Sequence, residues 1–312
     1  MTPVRPVRAG VIQAAGVPFD AEASLSELDG LAAEAAARGC RLAVFPEAYV
    51  GGYPRGFAFG SVFGSREPEG REWFRRYHDA AVDLNGSARR ELERIAGAHD
   101  VLLVGGVIEK EGGTLYCTAV WVDPEQGLLN SRRKLMPTGA ERIAWGSGDL
   151  SRPPVVQTRY GRIGVAICWE NYMPLLRTYM YAQGVQIWCA PTADPRETWE
   201  STMRHIALEG RCFVLSSNQF IRRGDYPEDY PVGGAPSDVM CDGASMIVSP
   251  LGEVLAGPER ERSTLLVADL DMGDIARGNL DFDPVGHYAR ADLFSLDVDT
   301  RPQAVLRSSA AP

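Results

Sequence analysis

The apolar runs of this chain are short and are separated by helical stretches. That alternation limits the fold more than any other feature. "AGVIQAAG" (9–16) reads as a buried strand, "SLSELDGLAAEAAARG" (24–39) as a helix and "RLAVFPE" (41–47) as the next strand. The helix carries a capping-box pattern from Ser24 to Glu27, with Gly39 as its stop. A second helix is expected over about 85–98. "VLLVGGVIEK", "TLYCTAVWVD" and "GLLNSRRKL" come next with turn residues between them, the pattern of an antiparallel meander. "GRIGVAICWE" (161–170) is again a strand, with Ile163, Val165 and Ile167 on one face and Gly164, Ala166 and Cys168 on the other. A helix is expected from Pro174 to about Gly184. Then come a strand (185–191), a helix (197–211) and a strand (212–220). "ASMIVSPLGEVLAG" predicts a hairpin around Pro250-Leu251-Gly252, and "STLLVADLD" closes the sheet. A loop rich in Gly, Pro and Asp spans about 223–243, and the tail "RSSAAP" has a disordered composition. Crossover helices together with hairpins predict an α/β chain with mixed sheets. No linker interrupts it, and its length and apolar content suit one large domain or two smaller ones.

A net charge of −9 without a dense Lys/Arg patch argues against nucleic acid or an anionic membrane as partner. The longest apolar run, 101–108, is far too short to span a bilayer. The opening "MTPVRPVRAGVIQ" has no apolar core of a secretory signal, so a cytoplasmic protein is expected. The six cysteines (Cys40, Cys117, Cys168, Cys189, Cys212 and Cys241) form no C-x-x-C pair, which favours free thiols in a reducing compartment. Together with the four histidines they show no zinc-ligand spacing, and no phosphate-binding glycine loop is present.

Three polar residues end apolar runs: Glu47 after "LAVF", Lys134 after "GLLNSRR" and Cys168 after "GVAI". In open α/β sheets ligands bind beyond the carboxyl ends of strands, so the three have a route into one crevice. By residue type alone each also fits a plainer part. Cys168 suits a small buried hydrophobe, Glu47 a turn carboxylate and Lys134 a solvated cation. Chemistry links them. A free thiol is mostly protonated at neutral pH, and an ammonium and the N-terminus of the following helix would favour the thiolate. A carboxylate can take the thiol proton as general base. No histidine lies near these motifs.

"FPEAYVGGYPRG" (45–56), "RKLMPTGAERIAWGSGD" (133–149), "CWENYMPLLRTYMYAQG" (168–184), "CAPTAD" (189–194) and "HIALEGRCFVLSSNQF" (205–220) resemble the nitrilase branch of the carbon–nitrogen hydrolase superfamily. "SPLGEVLAG" and "DFDPVGHYAR" (281–290) are similar to it too, so the resemblance covers about 8–295 and leaves a tail of about 296–312. It implies a four-layer αββα sandwich with mixed sheets, formed by one domain over 1–312. It implies Cys168 as nucleophile, Glu47 as general base, Lys134 as the cation that stabilises the tetrahedral intermediate and Glu141 as a second glutamate beside them. A structural salt bridge is the other reading of Glu141. Tyr53, Trp145, Trp169, Tyr172, Pro191, Thr192 and Trp199 are candidates for the substrate pocket, although aromatic residues are more often core.

The implied substrates are a small organic nitrile and water, the product a carboxylic acid, and no metal or organic cofactor is required. The implied assembly is a homodimer that builds larger, spiral homo-oligomers. A related cysteine hydrolase of amides or cyanide is the alternative, as is substantial hydration of nitrile to amide. A non-catalytic assembly protein is the rival of a different class. "CWEN" favours the nitrilase branch. Arg132 stands where the family commonly has histidine, and "WGSGDLS" and "DVMCDGASMIVSP" also depart from its patterns. Aliphatic, arylaliphatic and aromatic nitriles all remain open at this point.

Overall fold

In chain order the computed structural model, which describes residues 6–303, begins with β1 (Val7–Gln13), α1 (Ala21–Ala37), β2 (Leu42–Val44), the short hairpin β3 (Ser61–Val62) and β4 (Ser65–Arg66), α2 (Pro68–Asp79) and α3 (Ser87–His99). Next are β5 (Leu102–Glu111), β6 (Thr114–Asp123), β7 (Gly127–Arg133), β8 (Val155–Thr158) and β9 (Gly161–Val165). Then come α4 (Pro174–Ala182), β10 (Ile187–Thr192), α5 (Glu197–Gly210), β11 (Phe213–Asn218) and β12 (Phe220–Arg222). The last elements are β13 (Val239–Val248), β14 (Val254–Arg260), β15 (Thr264–Leu270) and α6 (Gly273–Gly278).

Two mixed sheets result. The first has the order β15-β1-β2-β5-β6-β7, parallel across β1, β2 and β5 and antiparallel at both sides. The second has the order β12-β13-β11-β10-β9-β8, with β14 also on β13, and is parallel across β9, β10 and β11. Three cores fix the layers. Val11, Val44, Val104 and Trp121 of the first sheet pack on Ile163, Val165, Ile187 and Leu215 of the second. Outside the first sheet, Leu28 and Ala32 of α1 and Leu92 and Ile95 of α3 cover Ile12, Ala43 and Leu103. Outside the second, Met180 of α4 and Met203 and Ile206 of α5 cover Trp188 and Val214. The order is therefore helices, sheet, sheet, helices: the αββα sandwich. Ser217 Oγ donates to Ile12 O at 2.6 Å and Trp121 Nε1 to Ile163 O at 3.3 Å, so polar contacts also cross between the sheets.

The meander and the hairpin around Pro250 form as expected. α1 starts earlier than its capping pattern indicates. Asp20 is the N-cap and accepts from Ala23 N at 2.9 Å. Ser24 lies inside the first turn, and its hydroxyl donates back to Val17 O and Asp20 O. α2 is an addition. Its sequence "PEGREWFRRYHD" is densely charged, and only Gly70, Trp73 and Tyr77 are buried. β13 reaches back to Val239, into the segment expected as loop. The disordered tail expected at 307–312 lies outside the described residues. No helix among the described residues is long and apolar enough to cross a membrane.

The largest local correction concerns Cys168. The strand ends at Val165, and Cys168 opens a 3-10 turn, Cys168–Tyr172, with φ +49°. The left-handed residue breaks the alternation. Cys168 joins Ile163, Val165 and Ile167 in the core between the sheets, while Ala166 faces the outer core.

Candidate active site

Each corner of the site starts where a strand stops. Beyond β2, Phe45 and Pro46 lead to Glu47, and Ala48 takes φ +52°. The backbone of Glu47 presses against β5. A Cβ on Gly106 would lie 2.4 Å from Ala48 N and 2.8 Å from Glu47 Cα, so only glycine fits there. Lys134 comes directly after β7, its N–H donating to Cys117 O at 2.7 Å. Glu141 lies in the 3-10 turn Gly139–Ile143.

These side chains meet. Lys134 Nζ donates to Glu47 Oε1 at 2.6 Å and to Glu141 Oε2 at 2.7 Å, and the Lys134 and Glu47 side chains are fully buried. Glu141 Oε2 also accepts from Thr138 N at 2.6 Å, and Oε1 accepts from Tyr53 OH at 2.7 Å. Thr192, the last residue of β10, donates its hydroxyl to Cys168 Sγ at 3.2 Å. Trp145 stands edge-on to Tyr53 and lies 5.6 Å from Lys134 Nζ.

Electrostatics set the resting proton positions. Burial pushes the Glu47 carboxyl up to about 7, against the pull of Lys134. Burial works against the Lys134 ammonium, but Glu47, Cys168 and Glu141 more than offset it and hold its pKa well above the ordinary lysine value. Burial also pushes the Cys168 thiol up, Glu47 and Glu141 add to this, and Lys134 counters only in part. The nearby ammonium therefore does not outweigh burial and the two carboxylates, and the resting sulfur keeps its proton, as a free thiol does at neutral pH. The helix expected to favour the thiolate begins only at Pro174, and between it and Cys168 lies the short 3-10 turn. Glu47 Oε2 is buried and has no hydrogen-bond partner.

The pocket candidates separate. Tyr53, Trp145 and Glu141, with Phe57, Phe59 and Ala144, line a cavity of about 330 Å³. Trp169 is 41% exposed, and its indole donates to Asp194 Oδ2 at 2.9 Å. Tyr172 stands edge-on between Trp169 and Trp199. Pro191 is buried in β10. Trp199 packs in the outer core with Trp188 and Met203, donates to Ser216 Oγ at 2.9 Å and reaches the group through Tyr172.

Sequence reasoning missed two neighbours of Glu47. Cys117 Sγ lies 3.5 Å from Oε1, and Gln219 Nε2 donates to Glu47 O at 2.8 Å from the second sheet. The pairing of β6 with β7 beside Lys134 held a signal for Cys117, whereas nothing in the sequence pointed to Gln219. Among the described residues no cluster of three or more His, Cys, Asp or Glu could hold a metal ion.

The carbon–nitrogen hydrolase profile matches residues 8–279. The chain belongs to the carbon–nitrogen hydrolase family. An aliphatic nitrilase of Sinorhizobium fredii is 52% identical to this carbon–nitrogen hydrolase, over 97% of its chain and 99% of the relative's. A bifunctional nitrilase/nitrile hydratase of Lupinus angustifolius is 54% identical, over 95% and 87% of the two chains. Among solved structures, an amidase from Nesterenkonia sp. superposes with a TM-score of 0.68 at 23% identity, covering 93% of this carbon–nitrogen hydrolase and 95% of the amidase, a likeness of fold.

Proposed function

We propose that this carbon–nitrogen hydrolase is a nitrilase, converting an organic nitrile and two waters to a carboxylic acid and ammonia. The observation that carries the reading is the buried Lys134 ammonium held by both Glu47 and Glu141. Relatives of about half identity over nearly the whole chain, named nitrilases, support it.

Cys168 attacks the nitrile carbon and gives its proton to Glu47, which passes a proton on to the nitrile nitrogen. The product is a thioimidate on sulfur. Lys134 stabilises the negative charge that develops on the way, in a water-poor setting where a fixed cation acts strongly. Glu47 then takes a proton from water, whose oxygen adds to the thioimidate carbon. Glu47 returns that proton to the nitrogen and relays the new hydroxyl's proton after it, so ammonia departs and the centre becomes an acyl thioester. A second water releases the acid and returns the thiol. Glu141, fixed by Tyr53 and Thr138, orients Lys134. The aromatic cavity beside Glu141 supports a role for Tyr53 and Trp145 in holding the organic group.

A second reading is partial hydration. If sulfur leaves the tetrahedral centre instead of ammonia, the product is an amide. The relatives named bifunctional nitrilase/nitrile hydratase favour keeping it. Ammonia release from a panel of nitriles, with matching amides and cyanide alongside and acid-to-amide ratios recorded, tests both. Turnover of amides or cyanide alone would overturn the nitrilase reading.

The finer setting is also a proposal. Six free, buried cysteines support a reducing, cytoplasmic compartment. Val62 and Phe63 on the β3–β4 hairpin, and Leu280, Leu293 and Phe294 near the C-terminus, are exposed and support self-association into homo-oligomers.

A further inference from the structure

A carboxylate outside the reacting group touches the chain neighbours of two of its members. Glu170 lies two residues after Cys168 in the 3-10 turn, and its side chain is fully buried. Its Oε2 accepts from Ile167 N, the residue before Cys168, at 2.6 Å. Its Oε1 accepts from Leu135 N, the residue after Lys134, at 2.6 Å. Arg132, two residues before Lys134 and equally buried, grips both oxygens: Nη1 to Oε1 at 2.9 Å and Nη2 to Oε2 at 2.5 Å. Nη2 also donates to Val165 O at the end of β9, at 3.2 Å.

We propose that Arg132 and Glu170 are positioning residues that set the Lys134 ammonium against the Cys168 sulfur. The inference rests on the roles given to those two residues in the proposed function. Lys134 belongs to the end of the first sheet and Cys168 to the end of the second, so their separation depends on how the sheets are joined at this edge. Glu170 joins them with one oxygen on each side. A guanidinium fork fixes direction as well as distance, which a single hydrogen bond does not. A buried ion pair contributes little net stability compared with apolar residues of the same volume, so geometry accounts better for its place.

Neither side chain bonds to Cys168, Glu47 or Lys134 side-chain atoms. Loosening the pair therefore spares the pocket and affects the steps that need the ammonium in place. The charge it stabilises exists only after attack, so kcat falls while KM holds. The tetrahedral centre also partitions differently, and the amide share of the product changes.

Arg132→Lys keeps the charge and loses the fork. We expect a folded protein by circular dichroism and melting, KM within about threefold, and kcat lower by about 10²-fold, the scale of an ångström of misplacement. We also expect an altered amide share and slower alkylation of Cys168 by iodoacetamide. Arg132→Met/Glu170→Gln, which leaves no buried charge unpaired, serves the same purpose should Arg132→Lys fail to fold. A folded variant with unchanged kcat, product ratio and alkylation rate overturns the proposal. So does a loss of kcat that only tracks the folded fraction. If the wild-type protein turns over no nitrile, the nitrilase reading fails. Slowed alkylation in the folded variants then still supports the positioning role, and an unchanged rate overturns it.

Discussion

Tyr53 holds Glu141 through its phenol, and by doing so it frees the other carboxylate oxygen for Lys134. Burial and the neighbouring Glu141 charge keep that phenol protonated, its pKa well above the usual tyrosine value, so it acts as a fixed donor. Tyr53→Phe removes one hydrogen bond to a charged group, an interaction of about 1.5–3 kcal/mol. Steady-state kinetics on a turned-over nitrile should show kcat/KM lower by roughly ten- to a hundredfold, beyond what the accompanying fall of a few degrees in melting temperature explains. A value within twofold of wild type would show that Tyr53 is not needed to hold Glu141 in place.

Cys168→Ala should leave no turnover above background and an unaltered circular dichroism spectrum. The site loses its nucleophile but no charge and little volume. Mass spectrometry of the wild-type enzyme quenched with substrate should show an adduct on Cys168 and on no other cysteine.

In the proposed mechanism the pH profile is set by Glu47. Its carboxyl is raised to about 7 and must be ionised to accept the thiol proton, so activity rises as pH increases through about 7. Lys134 is held above its ordinary value, so no loss from its deprotonation is expected before pH 10. Alkylation of Cys168 by iodoacetamide should share the acid limb, because it needs the same proton removed. An acid limb near 4.5 would indicate that Glu47 is not raised.

Glu47→Gln keeps the shape and removes the base. Turnover should fall by about 10²-fold or more, within the range of general-base effects. Normal turnover would show that another group takes the proton.

Gly106→Ala tests the backbone around the base. The added methyl meets Ala48 N and the Glu47 backbone, and crowding of this kind typically costs about 1–3 kcal/mol. Chemical denaturation should report that loss. kcat should fall further than the folded fraction explains, because the yielding atoms are the backbone of Glu47 and of Ala48 beside it.

Much of this was legible in the chain. Glycine and proline punctuation and the switch between helical and strand periods marked nearly every element of the two sheets. Glu47, Lys134 and Cys168 stood out because each is a reactive side chain ending an apolar run. α2 was hidden because its charged surface masks the Trp73–Tyr77 stripe. The face of Cys168 was misread because alternation assumes extended backbone, and φ +49° ends it. How far the neighbours would shift the thiol was not legible, because burial is a property of the folded whole. Gln219 reaches Glu47 across a gap of 172 residues, and no local pattern records such a contact.

The core between the sheets has a further consequence. Glu47 and Lys134 ride on one sheet, Cys168 and Thr192 on the other, so in the proposed mechanism the gap between the layers works as a ruler for the reaction. Trimming a methyl group from Val104 or Leu215, side chains that make none of the polar contacts of the site, would register first as slower chemistry and only second as a lower melting point. The outer cores under the helices carry no such gauge. Substitutions there should be freer to drift, and an engineer altering the substrate should leave the inner layer untouched.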